Sequence, residues 1–252
     1  MSALHEELAA VLADMPNEQR VKVAGRDFWV GHWQGHAVVA VLSRIGKVAA
    51  ATTATVMLER FGVGALVFTG VAGGLGPQVR VGDVVVANGL VQHDMDASPL
   101  FPRHEVPLYG RAVFDSDAHL SGALATAAQQ VLQVPERHLG SATLAQFHLH
   151  APQVHRGLLV SGDRFVSTTA ESEALRSALP TALAVEMEGA AVAQVCLDYG
   201  VPFAAVRTIS DRADDTAHTD FNRFIAQVAS RYSHAILSQW LAQRPAPGVR
   251  LT

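Results

Sequence analysis

The chain has 252 residues, 49% of them hydrophobic and 17% charged. A chain of that length buries about 70–75% of its unfolded surface, which excludes disordered and fibrous classes. Lysine and arginine number 19 against 23 acidic residues, a formal charge of −4, so there is no basic field to draw in a nucleic-acid partner.

Leu4, Leu8, Val11, Leu12 and Met15 follow helical spacing behind Ser2, which predicts an opening helix with Ser2 as its N-cap. The stretch Met1–Glu7 is acidic where a secretory signal is basic and then apolar. Together with a single cysteine, Cys196, which suits a reducing compartment, it points to the cytoplasm. Val21–Ala24, Asp27–Gly31 and Ala37–Leu42 read as a β-meander hinged at Gly25. An Ala-rich pattern predicts a helix over 46–61, and the apolar strand Ala65–Thr69 then runs into the glycine-rich turn Gly70-Val71-Ala72-Gly73-Gly74-Leu75-Gly76. The uncharged run Phe61 to Val79 approaches the ~18–20 residues of a membrane span. Its six glycines and Pro77 mark it as strand and turn instead, and no membrane partner is expected.

Further strands are predicted at Val84–Ala87, Gly157–Val160, Thr181–Val185 and Phe203–Ile209, and helices over 117–133, 188–199 and 219–243. Residues 134–155 read as a surface excursion and 244–252 as a tail. Apolar strands alternating with helices imply one α/β domain over residues 1–243, with a central, mixed, largely parallel twisted sheet flanked by helices.

Three places can carry chemistry. The glycine-rich turn lets backbone N–H groups approach an anion or a sugar, and it serves equally as a tight turn with no ligand. In Val185-Glu186-Met187-Glu188 a strand runs straight into two carboxylates, at the strand end where such sheets bind ligands. A glutamate there can accept hydrogen bonds from two neighbouring hydroxyls, as a ribose presents, and Met187 offers a soft apolar wall. Acid in the first turn of a helix, complementing its dipole, explains the same pattern. Phe203–Asp211 repeats the design, delivering Ser210 and Asp211 to a strand end, where a desolvated aspartate can donate a proton or can simply cap the next segment. His148, His150 and His155 have no metal-binding framework around them, and no metal or cofactor is expected. Cys196, inside a predicted helix, reads as a buried inert thiol. No G-x-S-x-G elbow occurs.

Six segments in order are similar to the nucleoside phosphorylase/nucleosidase superfamily, and within it to the nucleosidases of methylthioadenosine type. They are Ser43-Arg44-Ile45-Gly46-Lys47-Val48-Ala49-Ala50-Ala51, Thr69-Gly70-Val71-Ala72-Gly73-Gly74-Leu75, Val81-Gly82-Asp83-Val84-Val85-Val86, Ser161-Gly162-Asp163-Arg164-Phe165-Val166, Val185-Glu186-Met187-Glu188 and Ile209-Ser210-Asp211. The resemblance runs from about Ala3 to Trp240. It implies hydrolysis of the N-glycosidic bond of 5′-methylthioadenosine and S-adenosylhomocysteine, without cofactor. In its terms Asp211 is the general acid toward adenine N7, oriented by Ser210, and Glu7 activates water. Glu188 with Met187 holds the ribose hydroxyls, Phe165 stacks on adenine, and Val166 lies where backbone groups read the purine edge. Phe221 and Ile45 surround the 5′-alkylthio tail, Ile45 reaching in from the second subunit of a homodimer, and Ala72, Gly73 and Arg207 complete the substrate-binding set.

The chemistry is sound on its own terms. Breaking C1′–N9 builds positive charge on the ribose and negative charge on the purine, so protonating the leaving base removes the worse charge, a gain of roughly 10²–10⁴-fold. An acid paired with a water-activating base parallels the inverting glycosidases. Two departures stand out. The family opens with an apolar strand before the segment matching Ala3–Glu7, and without one the neighbouring strand should be uncovered and the loop holding Glu7 loosened. Arg44 stands where many nucleosidases have a small residue, and an arginine near the sugar can bind phosphate. A phosphate-dependent phosphorylase, a futalosine hydrolase and a catalytically silent purine-nucleoside binding protein therefore stand as alternatives.

Overall fold

A computed structural model describes residues 1–214 and 221–244. In chain order the elements are α1 (His5–Leu12), β1 (Gln19–Val23), β2 (Arg26–Trp33), β3 (His36–Val41), α2 (Lys47–Phe61), β4 (Leu66–Gly74), β5 (Val84–Gln92), β6 (Val113–Asp115), α3 (Ala118–Leu132), α4 (Pro135–Leu139) and α5 (Ser141–Gln146). Then come β7 (Val154–Ser161), α6 (Thr169–Ala178), β8 (Ala182–Glu186), α7 (Gly189–Tyr199), β9 (Phe203–Asp211), α8 (Phe221–Phe224), a π-turn over Ile225–Ala229, and α9 (Ser230–Ala242).

The meander is observed as the antiparallel sheet β1-β2-β3, with Gly25 at positive φ in its first turn. The main sheet runs β6-β5-β7-β8-β4-β9, and β9 pairs back onto β5. The sheet is mixed as expected: the long ladders β4–β9, β5–β7 and β7–β8 are parallel, while β4–β8, β5–β6 and β5–β9 are short and antiparallel. The return of β9 to β5 was not expected. It joins both ends of a five-strand path, so edges that sequence reading leaves open are paired. Pleat alternation then divides the core. Val85, Ala87 and Ala205 pack toward α2 and α7, and Val84, Val86, Ala204 and Val206 toward α3 and α9. Helix ends follow local chemistry: Asp117 accepts from Leu120 N at 2.7 Å to cap α3, and α2 and α7 stop at Gly62 and Gly200 in the left-handed region.

Several expectations change. Ser2 does not cap α1, whose N-cap is Leu4 without a side-chain bond. Ser2 is instead a short bridge, parallel to both Leu42 and Thr69. Its N donates to Val41 O at 3.1 Å, and Ser43 N donates to Ser2 O at 2.7 Å. Beyond that bridge a cleft of about 850 Å³ lies between β3 and β4, but the neighbouring strand is not left uncovered: Met1 N donates to Val67 O at 2.9 Å, Thr69 N donates to Met1 O at 3.0 Å, and Leu66, Phe68 and Thr69 are buried. Glu7 is not loosened: it is buried and accepts from Ser2 Oγ at 2.5 Å. The supposed glycine turn is strand as far as Gly74, because it pairs along β9 from Leu66 opposite Phe203 to Gly73 opposite Asp211. The excursion 134–155 contains two short helices and the start of β7, and β6 and α6 carried too short or too polar a pattern to be singled out. The predicted helix over 219–243 is interrupted by the π-turn; its first two residues, 219 and 220, and residues 245–252 of the predicted tail lie outside the described residues.

Candidate active site

The carboxyl-end termini of β4, β8 and β9, with Ile45 just before α2, the 164–166 segment and Phe221 of α8, enclose a cavity of about 130 Å³. Of the twelve residues singled out from sequence, eleven line it: Ile45, Ala72, Gly73, Phe165, Val166, Met187, Glu188, Arg207, Ser210, Asp211 and Phe221. Glu7 lines the adjoining cleft, while Ala3 and Leu4, just before it, line the cavity. Parallel pairing of β4 with β9 in register, with a bulge between Ala72 and Gly73, sets Gly73 opposite Asp211.

Asp211 is 8% exposed. Ser210 Oγ donates to its Oδ2 at 2.7 Å and Ala213 N to its Oδ1 at 2.8 Å. A Cβ on Gly73 would stand 2.9 Å from that Oδ1, so the strand is glycine where the acid passes it. Across the cavity Glu188, 5% exposed, accepts from Gly46 N at 2.9 Å. Burial, reinforced by the charge of Glu186, pushes its pKa up to about 7. Phe165 and Phe221 meet edge to face, ring centroids 6.0 Å apart at 74°, forming an aromatic wall.

Glu186 is a residue whose part the sequence did not reveal. It lies buried with Arg207 Nη2 donating to Oε2 at 2.7 Å, Ser161 Oγ donating to Oε1, and Gly189 N 2.9 Å from both oxygens. Arg207, 1% exposed, also donates to Phe68 O at 2.8 Å and lies 4.2 Å from the Phe68 ring centroid. The two carboxylates of one motif are thus differentiated: Glu186 is paired with an arginine, while Glu188, among the described residues, is held by backbone N–H groups. Ser161, in the motif Ser161-Gly162-Asp163, was the available signal for Glu186. The bond from Gly46 to Glu188 spans 142 residues and had none.

Glu7 is 1% exposed, and its Oε1 has no hydrogen-bond partner among the described residues. Burial raises its pKa, against the pull of the Ser2 hydroxyl and the positive field of Arg207. Arg44 does not line the cavity; its Nη2 donates to Gly25 O at 2.6 Å. The histidines are dispersed: His155 sits on β7 against Asp83 at 2.9 Å, and His148 and His150 in the turn before it. Cys196 is buried in α7, its pKa pushed up to about 12 by desolvation.

The family model for the phosphorylase superfamily matches residues 1–242. The chain belongs to the phosphorylase superfamily. Within that superfamily it is 35% identical over 242 residues to a 5′-methylthioadenosine/S-adenosylhomocysteine nucleosidase of Marinomonas sp., covering 96% of each chain. Among superfamily structures it is similar to the nucleosidase of that name from Neisseria meningitidis, solved in complex with methylthio-immucillin-A, with TM-score 0.84 and 31% identity over 96% of this chain and 97% of that one. It is also similar to futalosine hydrolase of Helicobacter pylori, with TM-score 0.81 and 31% identity over 96% of each chain.

Proposed function

We propose that the protein hydrolyses the N-glycosidic bond of 5′-methylthioadenosine and S-adenosylhomocysteine, with Asp211 as general acid to the adenine. The observation that carries this reading is the Asp211 carboxyl. It is buried, held through both oxygens by Ser210 and Ala213, and shares one cavity with Glu188 and the Phe165–Phe221 wall. Adenine lies against Phe165, with the backbone at Val166 along its edge. Asp211 donates its proton to N7 as C1′–N9 breaks. Glu188, with Met187 beside it, accepts from the ribose hydroxyls, and Ile45 and Phe221 bound the 5′ substituent. Glu7, buried with one oxygen unpartnered, orients and deprotonates the attacking water, which bonds to C1′ while the electron pair of the broken bond stays with the protonated purine.

Hydrolysis is favoured over phosphorolysis by where the cations go. Among the described residues, the cavity-lining guanidinium groups of Arg207 and Arg164 are paired with Glu186 and Glu171, and Arg44 points to Gly25. The test is adenine release from methylthioadenosine with and without inorganic phosphate. Equal rates are expected, and a strict phosphate requirement overturns the reading.

The same reading extends to a cytoplasmic homodimer. Ile45 lines the cavity yet is 58% exposed, beside Val48 at 78%, which suits a second copy closing this face. A monomer by light scattering at assay concentration contradicts it. Among the described residues no helix is long and apolar enough to cross a membrane.

A further inference from the structure

The end of β9 carries Ser210 and Asp211, and it is held on both sides by the loop that follows β4. On the near side Gly82 N donates to Ile209 O at 2.9 Å, and Ile209 N donates to Asp83 O at 2.8 Å. Asp83 is itself fixed, buried and accepting from Arg80 N, Gln153 N and His155 Nε2 at 2.8–2.9 Å. On the far side stands Arg212, immediately after Asp211. Its Nη1 turns back to donate to Gly76 O at 3.1 Å and to Val79 O. That loop is anchored in turn, with Leu75 N and Gly76 N donating to Leu183 O and Arg176 Nε donating to Leu75 O.

We propose that Arg212 is a positioning residue for Asp211, fixing the chain just beyond the acid to the carbonyls of the 76–79 turn. This rests on the reading of Asp211 as the general acid. Arg212 is not part of the cavity wall, so it acts through its neighbour. The bond it protects is the one from Ala213 N to Asp211 Oδ1, which depends on residues 211–213 keeping a single path, with Ala213 at positive φ of 51°. A guanidinium suits the task because its planar fork offers several donors in fixed geometry, whereas an ammonium is a flexible point donor.

The test is the full chain carrying Arg212→Met, which keeps the aliphatic stem and removes the donors, compared with Arg212→Lys and Asp211→Asn. Expected is a fall in kcat of roughly tenfold or more, the scale of a sub-ångström misplacement of a reacting group, with KM changed less than about threefold and partial recovery in Arg212→Lys. In the Asp211→Asn background, Arg212→Met should leave the residual rate unchanged, since there is no longer an acid to misplace. Should Arg212→Met not fold, Arg212→Lys carries the same comparison of kcat with KM. An unchanged kcat in a folded Arg212 variant, or an equal fall in the Asp211→Asn background, overturns this inference while leaving the acid assignment standing. Full activity of Asp211→Asn overturns both.

Discussion

Gly73→Ala is the most direct probe of how β4 and β9 hold the proposed acid. A methyl group there would lie 2.9 Å from Asp211 Oδ1, 2.9 Å from Ala213 Cβ and 3.3 Å from Ala213 Cα. Ordinary contact begins near 3.4 Å, so two neighbours must each retreat by about 0.5 Å. Ala213 is fully buried and donates through its N to the same Oδ1. The two are therefore tied together, and relieving either contact displaces the carboxyl. If a 1 Å misplacement is taken as about 10²-fold, half of that is about tenfold in kcat. Overpacking of a close core position costs about 1–3 kcal/mol, a fall in Tm of roughly 2–12 °C for a chain of this size. KM should hold within about threefold, because Glu188 and the aromatic wall lie across the cavity. Adenine release followed by absorbance gives kcat and KM, and scanning calorimetry gives Tm. A Gly73→Ala protein with wild-type kcat and wild-type Tm would refute the packing of Asp211 against β4, and with it the geometry from which the acid role was argued.

Three further outcomes are expected. Asp211→Asn should lower kcat by about 10²–10⁴-fold while retaining inhibitor binding by calorimetric titration; an active Asn variant removes the acid. Glu188 is raised to about 7 by burial and by Glu186, so riboside affinity should tighten as pH rises through that value and the carboxylate forms. Glu188→Gln should abolish this dependence and weaken ribosides more than free adenine, whereas equal losses for both ligands would detach Glu188 from the sugar. Glu7 must be ionised to activate water, and burial raises its pKa, so kcat should begin to fall on the acid side at a higher pH than for an ordinary carboxylate. A carboxyl raised in the folded state contributes stability below its unfolded pKa that is lost as pH rises through the folded one. Glu7→Gln, which cannot ionise, should therefore melt no lower than wild type at alkaline pH while turning over poorly; a wild-type rate in that variant ends the water-activating role.

Local patterns carried much of the framework. Strands β4, β5, β7, β8 and β9 are short apolar runs bounded by glycine or polar residues, and such runs find two-sided burial wherever they pair. Helices α2, α3 and α7 were legible from their apolar periodicity, and Asp211 and Glu188 from standing where an apolar strand ends. The glycines were misread as a turn because glycine signals closeness of approach as well as bending. Only the fold shows that Asp211 and Ala213 crowd the space above Gly73. Segments with weak patterns, β6 and the helices over 135–146, take their conformation from the surface they cover.

The amino-acid order alone determined that this chain makes an α/β domain with carboxylates at its strand ends, because hydrophobic runs and strand-to-helix junctions are local properties. It could not say that Glu186 is neutralised by Arg207, that Glu188 is tied to Gly46, that Arg44 faces Gly25 or that β9 closes onto β5. Those contacts join residues from about 20 to 140 positions apart. Whether a carboxylate is paired, desolvated or within reach of a sugar is set by the charges and dipoles within a few ångströms, and which groups those are is decided only when the strands have chosen their neighbours.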